Sequence, residues 1–315
     1  MKITIFDTSI CSHNLGDFII MDSVTNELKS IFPESMFLYS LTHDKISKQT
    51  YKMSRDSKYC FVGGTNLLSS NMDKYNQWKI NLYDALFMRN IILMGVGWWQ
   101  YQKKPNLYSK ILFSLILSSN FFHSVRDSYT EKKLNEAGFS NVINTACPTM
   151  WKLSREHCHN IPTNKSEYAL LTLTDYKKDF ENDTRLINIL RKNYNHVYFW
   201  PQGTGDLEYA KQLGLRKGEL LSPNLWSLNS FLDDEYKTID FIGTRLHAGI
   251  LALQKKRRTI IIGVDNRSIE KGKDFNLPVI SRDHLDDLHK KINSRVEMDI
   301  FIPEANISRW KQQFS

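Results

Sequence analysis

The sequence predicts an α/β protein with two Rossmann-like domains, each built on a parallel β-sheet. Short apolar runs alternate with segments of helical periodicity along the whole chain, and this alternation is typical of parallel strands covered by helices. The chain has 315 residues, the length of about two domains. Residues 155–167 are polar and contain a proline, which predicts a linker between two halves of similar pattern.

The first half contains the elements of an N-terminal α/β domain, which we place at residues 1–154. Gly138 follows the last helical segment, and a glycine commonly ends a helix at that position. The pattern predicts strands at residues 3–7, 36–41, 59–62, 90–95 and 121–125, and helices at residues 18–32, 106–119 and 128–138.

The second half repeats the alternation and predicts a C-terminal domain at residues 168–300. Ligands of such folds bind at the carboxyl ends of the parallel strands, so we expect a ligand cleft between the two domains. The pattern predicts strands at residues 168–173, 197–200, 238–242, 258–264 and 278–280, and helical segments at residues 184–193, 249–254 and 284–296.

A tail at residues 301–315 follows the second domain. Ile307, Trp310 and Phe314 recur at helical spacing beside the basic Arg309 and Lys311. Such a segment either packs back across the other domain or lies on a membrane surface near a lipid-linked acceptor. We favour packing, with peripheral membrane contact as the alternative.

The charge balance limits the partners of the protein. The formal net charge is +8, which leaves nucleic acid, an anionic membrane face and phosphorylated small molecules open. The one dense basic run, residues 255–258, directly follows a predicted helix, where cations are favoured by the helix dipole. We therefore expect no nucleic-acid partner, and the oligomeric state is left open.

Cysteine usage and hydropathy favour a cytoplasmic protein with reduced thiols. No Cys-x-x-Cys pair or zinc-type histidine spacing occurs, and we attribute His157 and His159 to the linker surface, so no metal site is expected. The first apolar run is too short for a signal peptide, and the apolar stretch at 111–122 is shorter than the about 20 residues of a membrane span. The four cysteines are Cys11, Cys60, Cys147 and Cys158.

The most informative segment is residues 240–254, where an apolar run ends in Arg245 and His247 and a helical segment follows. The start of a helix favours an anion through its free N–H groups and its dipole. Arginine adds a fixed cationic fork, and histidine can exchange a proton near neutral pH. This combination suits an anionic substrate that is protonated or loses a phosphate. The alternative is a solvated turn with a satisfied histidine.

Other motifs also follow predicted strands. None matches the Gly-x-Gly-x-x-Gly pattern of dinucleotide sites or the Walker phosphate loop, so a nicotinamide or flavin cofactor is not expected. The motifs are Asn14-Leu-Gly16-Asp17, Gly63-Gly64-Thr65, Gly95-Val-Gly97, Arg126-Asp127 and Gly203-Thr-Gly205.

In this order along the chain, the motifs resemble the polysaccharide pyruvyl transferase family over roughly residues 5–280, most strongly at Gly243-Thr-Arg245-Leu246-His247. The other motifs that carry the resemblance are Asn14-Leu-Gly-Asp17, Phe61-Val-Gly-Gly64, Met94-Gly-Val-Gly97, Ser124-Val-Arg126-Asp127-Ser128 and Cys147-Pro148-Thr149. The resemblance implies a fold like that of GT-B glycosyltransferases. It implies transfer of the enolpyruvyl group of phosphoenolpyruvate to two hydroxyls of a sugar, giving a pyruvate ketal without metal or cofactor. It also implies that Arg126, Arg245 and His247 lie at the donor site, with Leu246 lining it and Gly243 opening the motif.

Elementary chemistry agrees with these roles. Phosphoenolpyruvate carries a carboxylate and a phosphate, and Arg126 and Arg245 can each make a charge-assisted bond to one of them. His247 is the candidate acid, because its unperturbed pKa lies near the working pH. Asp17 is the first candidate for the base, since the N-terminal domain is expected to carry the acceptor. The alternative for Asp17 is a carboxylate that stabilises a helix start.

The acceptor side is assigned to Asn14, Gly64, Trp98 and Trp99. The two tryptophans follow a predicted strand, where a flat ring can stack on a sugar, and we expect one ring buried and one facing the cleft. The acceptor is nucleotide-linked, lipid-linked or polymeric, as in the synthesis of exopolysaccharide or capsule. This chain departs from many relatives at residues 265–274, where Arg267 stands in place of a lysine or the donor pocket differs.

Two other functions are compatible with the sequence. A glycosyltransferase of the same architecture also anchors the phosphates of a nucleotide sugar with arginine and a helix start, since a fold does not determine a function. It would need a pocket for base and ribose beside Arg245. A carbohydrate-binding relative without activity is the second alternative, although Arg126 and His247 are both present.

Overall fold

The computed structural model describes residues 1–315, which form two compact units. Unit 1 comprises Met1–Ser12, Asp17–Trp151 and Ile302–Ser315, and unit 2 comprises His13–Gly16 and Lys152–Phe301. The predicted linker, residues 155–167, lies in unit 2 and contains a short helix. The predicted α/β class with parallel sheets is confirmed.

Unit 1 contains a four-stranded parallel sheet in the order β2-β1-β3-β4. A parallel pair, β5 and β6, follows it, and the backbone N–H of Gly95 donates to the carbonyl of Ser124 at 3.0 Å just beyond β4. The elements are β1 (Lys2–Asp7), α1 (Leu15–Ile31), β2 (Met36–Leu41), α2 (Lys48–Asp56), β3 (Tyr59–Gly63), β4 (Ile91–Met94), α3 (Leu107–Ile116), β5 (His123–Val125), α4 (Ser128–Ala137) and β6 (Val142–Asn144).

The central strands of unit 1 are apolar on both faces because each face carries its own core. Side chains alternate across a strand, so Val62 and Phe61 enter different clusters. One cluster gathers Val62 with Leu112 and Phe113 of α3, and the other gathers Phe61 with residues of α1. Parallel strands buried on two sides are expected to read as continuous apolar runs, as these do.

The C-terminal tail belongs to unit 1 and forms α12 (Glu304–Gln312). Trp310 is fully buried, and its indole N–H donates to the carbonyl of Phe122 at 2.9 Å. Its ring meets those of Phe61, Trp151 and Phe314 edge to face. The tail therefore completes the aromatic core beside the sheet.

Unit 2 contains a five-stranded parallel sheet in the order β11-β10-β9-β7-β8. No helix of the chain combines the length and the apolar character that crossing a membrane requires. The elements are α5 (Arg155–His159), β7 (Tyr168–Thr172), α6 (Phe180–Asn193), β8 (His196–Phe199), α7 (Asp206–Gln212), α8 (Leu225–Leu232), β9 (Ile239–Gly243), α9 (Leu246–Gln254), β10 (Thr259–Gly263), α10 (Asn266–Phe275), β11 (Val279–Ser281) and α11 (Leu288–Asn293).

Helix α9 packs closely on the sheet of unit 2 at Gly249. A Cβ atom there would lie 2.9 Å from side-chain atoms of both Ile261 and Phe241, closer than a van der Waals contact allows. The glycine therefore lets the helix approach β9 and β10 and fixes where its first turn lies. On the opposite face, Leu171 and Ile242 pack with residues of α6 and α11.

Candidate functional site

The carboxyl ends of the strands in unit 2 bring together several polar loops. Thr174 and Asp175 follow β7, residues 202–206 follow β8, Arg245 follows β9, and Asp265 follows β10. Since these strands are parallel, their ends meet at one edge of the sheet. This edge is where ligands bind in open parallel α/β sheets.

Arg245 lies at the N-cap position of α9 and is almost fully buried at 4% exposure. Its Nε donates to Oδ2 of Asp206 at 2.9 Å and to the carbonyl of Leu173 at 3.1 Å. Its Nη2 donates to Asp175 at 2.9 Å and also to Oδ1 of Asp206. Nε and Nη2 are therefore both held by protein carboxylates. Neither Asp175 nor Asp206 was among the predicted site residues.

Asp206 fixes the glycine-containing loop after β8. Its carboxylate accepts the backbone N–H groups of Gln202 at 3.0 Å and Gly203 at 2.8 Å. Burial raises the pKa of the Asp206 carboxyl, and the guanidinium of Arg245 opposes that shift. A Cβ at Gly203 would lie 2.4 Å from Nη2 of Arg245. A side chain at this glycine would collide with the guanidinium.

Tyr176 contacts two guanidinium groups at the same edge. The guanidinium carbons of Arg245 and Arg267 lie 5.2 Å and 5.6 Å from its ring centre, which is within cation–π range. Arg267 also pairs with Asp265 and donates to the hydroxyl of Tyr176. Arg267 lies in the first turn of α10, and its guanidinium and that of Arg245 are both in reach of the Tyr176 ring.

The remaining residues of the strongest motif are placed by β9 and α9. His247 lies in the first turn of α9 and is buried at 4% exposure, and Leu246 is also buried. Gly243 ends β9 against β7, where a Cβ would lie 2.3 Å from the hydroxyl of Thr172. Glycine at this position therefore allows β9 and β7 to approach closely.

The Asn14 segment is bonded to the loop after β8. Oδ1 of Asn14 accepts the side-chain N–H of Gln202 at 2.8 Å and the backbone N–H of Gly16 at 3.1 Å. The backbone N–H of Leu15 donates to the carbonyl of Gln202 at 2.9 Å. Because of these bonds, residues 13–16 cluster with unit 2 although they lie early in the sequence.

In unit 1, Arg126 follows β5 and is buried at 1% exposure. Its Nε donates to Asp127 at 3.2 Å, and Nη2 donates to Oδ1 of Asn66. Nη1 is buried and has no protein partner. A Cβ at Gly97 would lie 2.0 Å from Nε of Arg126, so the guanidinium rests directly on this glycine.

Asp127 both starts the helix that follows Arg126 and binds the Arg126 guanidinium. It is the N-cap of α4, and its Oδ1 accepts the backbone N–H of Thr130 at 2.7 Å and the hydroxyl at 2.6 Å. A cap of this kind stabilises a helix start by about 1 kcal/mol. The same carboxylate thus starts a helix and holds the neighbouring guanidinium.

Asp17 and Gly64 lie near the start of α1. Asp17 is in the first turn of the helix, is buried, and accepts the hydroxyl of Ser12 at 2.6 Å. This placement suits a carboxylate that stabilises a helix start. Gly64 has a positive φ of 43°, and a Cβ there would lie 2.0 Å from Ile20. Its conformation and its packing both require glycine.

The two tryptophans differ in exposure. Trp98 is fully buried, donates its indole N–H to Gln102 at 2.9 Å, and packs edge to face on Phe113. Its ring offers no exposed face for stacking. Trp99 is half-buried and stacks on Tyr75 with ring centres 3.9 Å apart.

A cavity of about 620 Å³ in unit 2 lies apart from these residues. It is lined by α5, the segment after it, and residues 295–299, and it contains none of the predicted site residues. The chain has no cluster of three or more histidine, cysteine, aspartate or glutamate side chains that could hold a metal ion.

Comparisons with solved structures agree with the fold. The chain resembles a putative UDP-N-acetylglucosamine 2-epimerase from Listeria monocytogenes (TM-score 0.50, 10% identity, 95% of this chain and 91% of that chain). It also resembles UDP-GlcNAc 2-epimerase from Neisseria meningitidis bound to UDP-GlcNAc (0.48, 11%, 94% and 95%) and the E. coli heptosyltransferase WaaC with ADP (0.45, 13%, 93% and 100%). Comparison with curated protein sequences finds no match.

The two α/β units and the polar residues at their strand ends define a protein of the GT-B fold class, as the sequence predicted. The family model described as polysaccharide pyruvyl transferase matches residues 14–266, which is more than half of the chain. The chain therefore belongs to the polysaccharide pyruvyl transferase family, and it is a transferase of polysaccharide biosynthesis.

Proposed function

We propose that this protein transfers the enolpyruvyl group of phosphoenolpyruvate to two hydroxyls of a sugar and forms a cyclic pyruvate ketal. Membership of the family supports the reaction class. The observation that carries the proposal is Arg126, a buried guanidinium at a strand end whose Nη1 has no protein acceptor. A buried charged donor without an acceptor costs free energy, and a carboxylate or phosphate oxygen removes that cost.

The proposed reaction balances without any further reactant. A proton adds to the methylene carbon of phosphoenolpyruvate while one sugar hydroxyl attacks the adjacent carbon. The bond from that carbon to the phosphate oxygen then breaks, and the second hydroxyl attacks the same carbon. Of the two protons that the hydroxyls release, one replaces the proton given to the methylene carbon and the other leaves with phosphate.

Two side chains are proposed for the proton transfers. His247 is the proposed acid, because its ring is buried in the first turn of α9 and histidine exchanges protons near neutral pH. Asp17 is the proposed base for a sugar hydroxyl. Its hydrogen bond from Ser12 also fits a structural role at the start of α1. Asp17→Asn tells the two roles apart, because loss of the base lowers turnover at unchanged stability, whereas loss of a structural contact lowers the melting temperature.

Arg245, Leu246 and Gly243 are proposed to form the donor side of unit 2. Because Nε and Nη2 of Arg245 are bound by carboxylates, we propose that this arginine acts mainly by fixing the loop after β8 and the start of α9. The backbone N–H groups of that helix start are then proposed to face the anion. On the acceptor side, Gly64 and Trp99 are proposed contacts, and Trp98 supports them through packing. Asn14 was predicted on that side, but it belongs to unit 2 and binds Gln202 in the loop after β8.

The first experiment measures thermal unfolding with phosphoenolpyruvate, with UDP and with UDP-sugars in parallel. A ligand that binds only the folded state raises the midpoint. We expect a rise with phosphoenolpyruvate and a much smaller one in Arg126→Gln. The control Arg55→Gln changes an exposed arginine of the same unit and should behave as wild type.

Turnover is then followed by phosphate release with sugar acceptors of the three kinds, and by NMR of the ketal methyl group. His247→Gln is expected to bind phosphoenolpyruvate with nearly unchanged affinity and to release no phosphate. A midpoint rise with UDP or a UDP-sugar, and none with phosphoenolpyruvate, would replace the proposal with a glycosyltransferase. Absence of a shift with every ligand would favour a non-catalytic relative.

A further inference from the structure

Helix α3 has an apolar face that the fold does not cover. Its inner side chains Leu112 and Phe113 are fully buried in the core of unit 1. The outer positions Leu107, Ile111 and Leu115 are 72%, 41% and 45% exposed. They are spaced by four residues and so share one face of the helix. An amphipathic surface helix normally carries polar residues there.

A neighbouring turn extends this apolar surface. The 3₁₀ turn at residues 84–86 contacts α3, and its buried Ala85 belongs to the same core. Tyr83, Leu86 and Phe87 around the turn are exposed, Leu86 at 71%. The rings of Tyr83 and Phe87 lie 5.1 Å apart. We call Tyr83, Leu86, Phe87, Leu107, Ile111 and Leu115 together the α3 face.

Helix α3 is held in place without the side chains of the α3 face. The side chain of Asn106 caps α3 by accepting the backbone N–H of Ser109 at 2.8 Å, and the inner face supplies the packing. Large apolar side chains grouped on a surface mark a site of interaction with a protein or a membrane.

Charge indicates which partner fits. Residues 81–122 contain four cationic side chains and one acidic side chain. Asp84 is buried and accepts the hydroxyl of Tyr51 at 2.6 Å, so it does not offset the cations at the surface. The exposed Asp73 accepts the side-chain N–H of Asn106 at 2.7 Å at the start of α3 and offsets one of them, which leaves the surroundings of the face net positive. Three of the cations are exposed and one is half-buried: Arg89, Lys103 and Lys104 are exposed, and Lys110 is half-buried.

We propose that the α3 face docks the protein on an anionic lipid membrane surface. Leucine, isoleucine and aromatic side chains enter the boundary between headgroups and acyl chains, and lysines reach the anionic headgroups. Each basic residue near such a surface adds about 1 kcal/mol of attraction. A symmetric contact between two copies of the face would bring the same cations together, which disfavours self-association. The proposal does not depend on the donor that the enzyme uses.

Flotation of the whole chain with lipid vesicles tests the proposal. We expect binding to vesicles of phosphatidylcholine with phosphatidylglycerol, little binding to phosphatidylcholine alone, and weaker binding at high salt because the headgroup attraction is screened. The variant Leu107→Ser/Ile111→Ser/Leu115→Ser should reduce binding by about tenfold or more. Because these side chains are exposed, its melting temperature should stay near that of wild type.

Three further measurements decide the assignment. The variant Lys103→Gln/Lys104→Gln/Lys110→Gln should lose the preference for anionic vesicles. The control Trp226→Ser/Tyr236→Ser removes two exposed aromatics of unit 2 and should bind as wild type. Equal binding by the α3 variant and this control, or no binding by wild type, would overturn the proposal. Light scattering that shows a dimer dissolved by the α3 variant would instead identify a contact between copies.

Discussion

Arg245 and Asp206 form a buried ion pair with contacts from two guanidinium nitrogens, Nε and Nη2. Their side chains are 4% and 0% exposed. Removing one partner of such a pair leaves an uncompensated buried charge, which costs about 3–5 kcal/mol. Unit 2 contains a second buried pair, Arg258 with Asp240. This pair lies near the amino ends of β9 and β10, at the edge of the sheet opposite to Arg245. A substitution in each pair therefore tells a loss of stability, expected of both, from a loss of phosphoenolpyruvate binding, expected only at Arg245.

Arg245→Lys is predicted to lower both the stability and the affinity for phosphoenolpyruvate. Lysine cannot reproduce contacts made by two nitrogens of a planar fork, so the loop after β8 and the start of α9 lose their shared anchor. Because lysine keeps the charge and loses only part of the hydrogen bonds, chemical unfolding should show a loss of about 1–3 kcal/mol, and calorimetry should show an affinity reduced by about tenfold or more.

Arg258→Lys is the matched control for that variant. Arg258 precedes β10 and donates to the carbonyls of Lys291, Ile292 and Ser294, away from the carboxyl ends of the strands. It should lose comparable stability and keep the affinity of wild type. If both variants lost affinity to the same extent, the effect would come from general destabilisation and Arg245 would have no particular role at the site.

Gly97→Ala is predicted to impair the enzyme through Arg126. The added Cβ would lie 2.0 Å from Nε and 2.1 Å from the guanidinium carbon, so the buried guanidinium must move from Asn66 and Asp127. We expect a loss of about 1–3 kcal/mol in stability and phosphoenolpyruvate binding as weak as in Arg126→Gln. Steady-state rates and calorimetry measure both.

Gly218→Ala is the control for the glycine substitution. Nothing lies within 4 Å of a Cβ at this position, so the change should leave stability and turnover unaltered. Full activity in Gly97→Ala would show that the guanidinium can shift without consequence, and would remove Arg126 from the donor site.

The sequence predicted the main strands of both sheets because buried parallel strands are continuous apolar runs. It missed α2, β6, α5, α7, α8 and α10. Helix α10 (Asn266–Phe275) is polar overall and contains a glycine, which hides it in a search for apolar runs. Its polar and apolar residues nevertheless separate onto opposite faces, and an Asp265 cap starts it, so the sequence did carry a local helix signal.

The candidate site was predictable only in part. The strand-end positions of Arg126, Arg245 and His247 follow from the alternation of elements. The partners of Arg245 do not, since Asp175 and Asp206 lie 70 and 39 residues away in sequence. Asp206 does close the predicted Gly203-Thr-Gly205 motif.

His123 makes the stability of unit 1 depend on pH. Its Nδ1 accepts the backbone N–H of Leu93 at 3.2 Å, so the ring is neutral and Nε2 donates to the carbonyl of Ser118 at 2.8 Å. Burial lowers the pKa of His123 to about 4 from an ordinary 6.5. Between these values the unfolded chain binds the proton and the folded chain does not. Stability is thus retained above pH 6.5 and falls with decreasing pH by about 1.4 kcal/mol per unit.

Denaturant unfolding at a series of pH values tests this contribution. His123→Gln keeps a donor and an acceptor without a titrating ring, so the difference in unfolding free energy between wild type and variant should vary with pH in that window. His289→Gln changes an exposed histidine and should run parallel to wild type. A constant difference between wild type and His123→Gln across the window would contradict the prediction.

Trp310→Ala is predicted to destabilise unit 1 by about 3–5 kcal/mol. The fully buried ring fills the space between Phe61, Trp151 and Phe314, and its N–H satisfies the carbonyl of Phe122. Thermal and chemical unfolding measure the loss. The exposed Trp226 provides the control, since Trp226→Ala should change stability by less than about 0.5 kcal/mol. A Trp310→Ala protein of normal stability that no longer bound anionic vesicles would instead assign the tail to the membrane surface.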